Sequence, residues 1–380
     1  MKVEQTLWTE AEGWRPREPG TLAGANLVLV FGSTDVLKEE IRLAQIKQTY
    51  PDALIFGCST AGEIHGVRVR DDSLAVTAVE FEFTQLRYAG VRMFEVADSY
   101  YAGERLAQTI PHDGLVHVFV LSDGLHVNGS DLVRGLAARL PEGVSVTGGL
   151  SGDGGRFAET LVVMDGTAQR DAVGVIGFYG ERLRVGYASL GGWDPFGPER
   201  LITRSEGNVL YELDGKSALE LYKQYLGEHA AGLPATGLLF PLSLRINEGD
   251  TPVVRTILAV DEAAQSMTFA GDVPMGAYAR LMKANFDRLI DGAVGAARTS
   301  HEGVSGSSPD LAILISCVGR KMVLKQRVEE EVEGVRDVLG EYTALAGFYS
   351  YGEISPFTPH AKCELHNQTM TITTLSERVA

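Results

Sequence analysis

Apolar residues along this chain gather in short blocks with amphipathic stretches between them. Leu27-Val28-Leu29-Val30-Phe31 is a continuous apolar run of buried-strand length. It empties into Gly32-Ser33-Thr34, where Ser33, Thr34 or Asp35 can cap a helix. Val36, Leu37, Ile41, Ala44 and Ile46 share one helical face, Pro51 stops the helix, and Ala53-Leu54-Ile55-Phe56 begins the next strand. The same grammar returns at 115–147, as strand, helix 130–140, Pro141 and strand 143–147. It returns again at 311–346, where Val328, Val332, Val335, Val338 and Leu339 mark the helix.

Between these units the pattern is more open. Strands are predicted at 74–83, 86–94, 160–164, 201–205, 209–213, 238–246, 253–260, 266–270 and 363–374, and antiparallel hairpin strands at 173–179 and 183–190. Helices are predicted at 98–110, at 217–226 behind the capping box Ser217-Ala218-Leu219-Glu220, and at 275–297, with a Gly/Ser-rich loop at 298–309. Residues 1–24, with Pro16, Pro19 and Gly20, read as an irregular lead-in. The densest Gly/Pro cluster, 191–198, places a domain boundary between residues 197 and 198. The fold class is α/β (α+β): two pseudo-repeated halves, 25–197 and 198–380, with mixed sheets flanked by helices. A layered αββα arrangement is compatible with the pattern.

Two loops nearly three hundred residues apart read alike. Gly57-Cys58-Ser59-Thr60-Ala61-Gly62-Glu63-Ile64 and Gly347-Phe348-Tyr349-Ser350-Tyr351-Gly352-Glu353-Ile354 both follow an apolar strand, and Gly148-Gly149-Leu150-Ser151-Gly152-Asp153-Gly154 is a weaker third copy. Glycine lets backbone approach a ligand closely, and strand ends in open α/β sheets are where ligands gather. Turn geometry does not require the repeated carboxylate. The predicted pocket therefore takes Cys58, Ser59, Thr60, Glu63, Gly149, Ser151, Asp153, Ser350 and Glu353. Ser122 and Asp123 join them from the strand end at 122–124, and an acidic set of this kind suits a ligand with an amino group. Trp193 offers a stacking surface or a turn anchor, and His366 shares its strand face with Met370 and Ile372.

Composition narrows the function. Hydrophobic residues are 44% and charged residues 22%, as in an ordinary globular protein, and the 44 glycines cluster at strand ends. A net charge of −16 argues against nucleic acid or an anionic membrane surface as partner. Three dispersed cysteines, no long apolar run and no signal-peptide pattern predict a cytoplasmic location. No nucleotide motif follows a strand, and no cofactor is predicted. His360-x-x-Cys363-x-x-His366 has metal-like spacing, but an extended segment puts Cys363 opposite both histidines, so no metal is predicted. Ser59, Cys58 or Ser151 could serve as a nucleophile, although none stands in a complete G-x-S-x-G elbow.

These motifs resemble those of FIST proteins, the F-box and intracellular signal transduction domain. Alongside the two G-x-x-[ST]-x-G-E-I loops stand Gly192-Trp193-x-Pro195-x-Gly197, Glu212-Leu213-Asp214-Gly215-Lys216-Ser217-Ala218-Leu219 and His366-Asn367-Gln368-Thr369-Met370-Thr371, in the family's order. The resemblance implies a sensory module that binds a small molecule, an amino acid or related metabolite, with Asn367 beside His366 among its contacts. It leaves no stretch of these residues for an output domain, so a separate signalling partner is expected. A hydrolase or transferase acting on a small amide or ester, and a protein-interaction scaffold, are the competing readings.

Overall fold

The structure, a computed structural model, describes residues 1–249, 252–304, 308–357 and 361–378. Its body repeats one topological unit three times. The first unit is β1 (Lys2–Thr9), β2 (Leu27–Gly32), α1 (Glu40–Thr49), β3 (Leu54–Ser59), the hairpin β4 (Glu63–His65) and β5 (Arg68–Arg70), and β6 (Ser73–Glu80). The second is β7 (Gln85–Arg92), α2 (Ser99–Thr109), β8 (Leu115–Ser122), α3 (Gly129–Ala137), β9 (Ser145–Leu150), the hairpin β10 (Val162–Met164) and β11 (Thr167–Gln169), and β12 (Ala172–Tyr179). The third opens with β13 (Leu183–Leu190). An inserted lobe follows, with β14 (Trp193–Glu206), β15 (Val209–Leu213), α4 (Ala218–Leu226), β16 (Leu242–Arg245), β17 (Val253–Arg255), β18 (Ile257–Asp261), β19 (Ser266–Phe269) and β20 (Tyr278–Ala284). The unit resumes with α5 (Phe286–Gly303), β21 (Leu311–Cys317), α6 (Val318–Leu324), α7 (Val328–Leu339), β22 (Ala344–Ser350), the hairpin β23 (Gly352–Pro356) and β24 (Cys363–His366), and β25 (Met370–Glu377).

Each unit builds a sheet around a parallel pair (β2/β3, β8/β9 or β21/β22), and then gives its hairpin away. The hairpin β4–β5 leaves the first sheet and pairs with β22 of the third. The hairpin β23–β24 pairs with β9 of the second, and β10–β11 pairs with β3 of the first. The sheet orders β11-β10-β3-β2-β6-β1, β24-β23-β9-β8-β12-β7 and β5-β4-β22-β21-β25-β13 are therefore the same order written three times.

The inner faces of the three sheets meet in one central core. Along β2 the side chains alternate: Leu27, Leu29 and Phe31 point into that core, whereas Val28 and Val30 face α1. Phe31 lies 4.7 Å from Phe348 of the third sheet, and Phe56 lies 6.3 Å from Phe119 of the second, centroid to centroid. Any two sheets with their outer helices form the expected αββα layering, and the third closes the side. The mixed α/β class holds, with the two apparent halves resolved into three equivalent units plus a lobe.

Several expectations are corrected. Residues 2–9 are not a lead-in but a strand paired along its whole length with β6 and, at Leu7, Trp8 and Thr9, with the short edge strand Gly13–Arg15 on its other side. Its fully buried residues are polar: Glu4 accepts from Thr21 N, Leu22 N and Tyr50 Oη, and Thr6 Oγ1 donates to Arg15 O and Arg17 O, so no hydrophobic alternation announced it. The strands at 173–190 form no hairpin, because the chain changes sheets at Gly180, with β12 in the second sheet and β13 in the third. Ile41 and Ala44 are exposed, and α1 buries Leu43 beside the expected Ile46. The helix expected over 275–297 is a strand up to Ala284, then a helix capped by Asn285, whose side chain accepts from Arg288 N. The boundary at 197/198 falls within β14; the lobe leaves the body at Gly192 and rejoins it at Asn285. His360 lies outside the described residues.

Parallel pairing at the core of each unit demands a glycine. At Gly57, Gly148 and Gly347 an added Cβ would overlap the carbonyl oxygen of Val30, Val120 and Leu314 respectively, backbone that cannot move aside. Gly347→Ala, Gly148→Ala and Gly57→Ala are each expected to cost about 3 kcal/mol or more, read as a fall in melting temperature. Gly191→Ala, whose Cβ would meet Trp193 Cδ1 at an ordinary 3.5 Å, should melt close to the wild type.

Candidate functional site

The three glycine loops do converge, and they do so by hydrogen-bonding to one another. Ala61 N donates to Tyr349 O (2.8 Å), Tyr351 N to Leu150 O (3.2 Å) and Gly152 N to Ser59 O (2.9 Å). Counted from Gly57, Gly347 and Gly148, the donors are equivalent positions and so are the acceptors. The ring encloses no hollow. Ala61, Gly152 and the Tyr351 ring occupy its centre, and Phe157 stacks on Tyr351 at 4.4 Å.

The hollow lies to one side, with a volume of about 500 Å³. The first unit supplies Ser33, Thr60, Gly62, Glu63 and the turn Asp71-Asp72. The second supplies Asp153 to Arg156, and the third supplies Val318, Lys321 and Met322 from α6. Lys321 Nζ donates to Ala61 O (2.8 Å) and ion-pairs with Asp71. Arg156 reaches Asp35 (2.7 Å) and Asp153 O (3.0 Å), and the Asp35 bond holds its pKa above the ordinary value. Asp72, at φ 54°, has no ion pair within 4 Å among the described residues.

Three of the fourteen predicted residues line this hollow: Thr60, Glu63 and Asp153. Glu63 accepts from Thr60 Oγ1, Ser73 N (3.2 Å) and Ser73 Oγ (2.6 Å). Burial pushes its pKa up to about 7. Burial opposes ionisation of Asp153 as well, but the Tyr351 hydroxyl and the amides of Phe157, Ala158 and Glu159 outweigh it and hold the carboxyl below the usual range.

The other eleven residues lie elsewhere, each for a local reason. Glu353 repeats Glu63: Ser350 Oγ, Thr369 N and Thr369 Oγ1 donate to it, and burial pushes its pKa up to about 8. The repeated carboxylates thus pin the start of a donated hairpin to the strand that returns after it. Cys58 sits in the central core, where burial raises its pKa well above that of a free thiol. Ser59 Oγ accepts from Leu161 N (2.8 Å), Ser151 Oγ donates to Ser122 O (2.9 Å) and Ser122 Oγ donates to Asp123 O (3.0 Å). The three expected nucleophiles, Cys58, Ser59 and Ser151, are thus fully buried and shielded from solvent. Gly149 packs against Ile315 and the Gly352 carbonyl. Trp193 is a turn anchor, its Nε1 donating to Gln368 O (2.9 Å) among Met282, Leu289, Val323 and Leu324. His366 bonds Ser355 O (2.7 Å) through Nε2, and Asn367 Nδ2 donates to Tyr351 O (3.4 Å).

Asp123 heads an Asx turn, accepting from Leu125 N and His126 N, with Thr160 Oγ1 on its other oxygen. Its ligand atom lies near those of His126 and Asp171, a possible cation set outside the hollow, but both its oxygens already accept. Lys321, Arg156, Asp71, Asp72 and Ser33 were missed as site residues. They come from three units and share no local motif, so only the tertiary pairing reveals them.

The raised pKa of Glu353 makes a pH prediction. A carboxyl that holds its proton longer when folded stabilises the fold most below its unfolded pKa, and that contribution is lost as pH rises through about 8. Glu353→Gln keeps the neutral shape, so its melting temperature should gain on the wild type progressively between about pH 5 and pH 9. A constant difference across that range would assign the shift elsewhere.

Comparison with known proteins follows this geometry. A family model described as the FIST N domain matches residues 26–216, and one described as the FIST C domain matches residues 218–356. An uncharacterized protein of Methanocaldococcus jannaschii is 24% identical over 356 residues, 86% of this chain. The chain spans 65% of that relative's length, just under two thirds. Among solved structures, a cyanuric acid hydrolase from A. caulinodans aligns over 78% of this chain and all of its own, at 11% identity and a TM-score of 0.20, too low to carry an argument. No helix among the described residues is long and apolar enough to cross a membrane. The chain belongs to the FIST family, through both its N and its C domain.

Proposed function

We propose that this protein is a ligand-binding sensor whose hollow beside the glycine loops takes a small molecule with an amino group and an acidic group, an amino acid or close relative. FIST domains are in general sensory and signal-transduction domains, and the ligand is the further step taken here. One observation carries it: a hollow of about 500 Å³, within the size range of small-molecule sites, whose lining carries the acids Asp71, Asp72 and Glu63 together with the cations Lys321, paired with Asp71, and Arg156. A lining that carries both signs suits a zwitterion, with the ammonium toward Asp72, which no cation pairs within 4 Å among the described residues, and the carboxylate toward Arg156 and Lys321. Because the walls come from three units, an occupant bridges all three, which is how binding would reach the rest of the molecule. A separate signalling partner receives that change in this reading, and the cell interior is where the expected metabolite is found.

Thermal-shift screening of the full chain against L-amino acids and their decarboxylated amines tests this. A ligand at a hundred times its Kd adds about 2.7 kcal/mol, a clear rise in melting temperature. The double variant Asp71→Asn, Asp72→Asn should lose the shift while melting normally without ligand. No shift with any compound, or one unchanged in the double variant, rejects the reading and leaves the interaction scaffold.

A further inference from the structure

A second and larger cavity, sharing no lining residue with the first, lies in the groove between α3 and the inserted lobe. Its volume is about 1230 Å³. One wall is apolar surface of α3 and the segment after it, chiefly Val133, Ala137 and Leu140. Leu244 and Val253 of the lobe face it, with Leu365 of β24 between.

At the junction of those walls sits Arg255, only 6% exposed. Its Nε donates to Asp272 O (3.2 Å), and Nη1 donates to Val254 O (3.2 Å) and Leu365 O (3.0 Å). Among the described residues, Nη2 makes no hydrogen bond and no carboxylate oxygen lies within 4 Å of the guanidinium. Asp272, the neighbouring acid, spends its oxygens on Asn128 Nδ2 (3.0 Å) and Arg134 Nη1 (3.3 Å). Arg320, the other buried arginine among the described residues, behaves differently and is paired with Glu331 at 2.7 Å. Glu364 and Asp272 attract the guanidinium from beyond 4 Å, but with no carboxylate in contact they and the carbonyl dipoles offset only part of the cost of burying its charge. Burial lowers the Arg255 pKa to about 10, so the side chain stays a cation at neutral pH. Space beside Arg255 is tight on the protein side, since a Cβ at Gly271 would stand 2.9 Å from its Nε.

We propose that this groove binds a small molecule with an apolar body and one carboxylate, the carboxylate resting on Arg255 and the body lying between α3 and the lobe. A monoanion fits better than a phosphate dianion. Arg134 and Arg245 on the rim are already paired with Asp131 and Glu199, and the negative charges of Glu142 and Glu364 outnumber the rim cation Lys362. The site is independent of the hollow beside the glycine loops. It bridges the lobe and the body, so occupancy would fix one against the other.

Titration calorimetry of the full chain with decanoate tests the proposal, with decanol as the uncharged probe of the same length. Saturable one-to-one binding of decanoate is expected, with decanol at least about tenfold weaker, the loss of one charge-assisted pair. Arg255→Met should weaken decanoate by a similar factor and leave decanol unchanged. Ala137→Trp fills the groove from the exposed face of α3 without touching Arg255, and should also weaken both probes. That variant decides the matter if Arg255→Met does not fold. Absent or unsaturable decanoate binding, equal affinity for decanol, or an unaltered affinity in a folded Ala137→Trp would overturn the proposal.

Discussion

Three backbone hydrogen bonds hold the body together at its centre: Ala61 to Tyr349, Tyr351 to Leu150 and Gly152 to Ser59. They form where a strand ends in one sheet and its continuation enters another. Each bond satisfies two backbone groups that would otherwise be buried without partners, which makes them obligatory rather than decorative. Once they close, each loop's exit direction is fixed, and so are the register of each donated hairpin and the position of the buried acid behind it. Glu63 and Glu353 then clamp the hairpin start to Ser73 and Thr369. The second unit lacks that acid, and Asp153 one step away turns its oxygens on the 157–159 amides instead.

The same ring explains why a centre of near-threefold form leads to an off-centre hollow. Its three equivalent side-chain positions carry Ala61, Gly152 and Tyr351, two small and one large. The tyrosine fills what the other two leave open. The open space then falls where the second unit's loop swings wide through Gly154 and Arg156 and where α6 brings Lys321 across. Sequence divergence among the repeats, rather than their likeness, makes a site.

Much of the body was legible because it rests on local periodicity. The three strand–helix–strand units, the glycine loops and the Ser217 cap all stand as read. The misreadings share a cause. Lys2–Thr9 hides because its buried side is Glu4 and Thr6, whose partners are distant. Tyr278–Ala284 reads as helix because Leu281 and Met282 fall in step with Leu289 and Ile290, and only pairing with β14 and β16 makes it a strand. Which sheet a hairpin joins is likewise a matter of tertiary pairing. In the site, hydroxyls and acids at strand ends were correctly seen to gather, but most gather to satisfy one another. The cations that shape the hollow, Lys321 and Arg156, carry no local signal.

The cyclic gift of hairpins orders events as the chain emerges in synthesis. The open edge of Leu54–Ser59 has no partner until residues 162–164 exist, and β4–β5 wait for a strand beginning at Ala344. Until residues 162–164 emerge the amino-terminal sheet therefore carries an unfilled edge, and for most of translation its hairpin has nowhere to dock, the kind of surface that recruits neighbours. None of the three units can be excised whole, since each sheet is finished only by a segment borrowed from another. The last unit to be made closes the second and third sheets together.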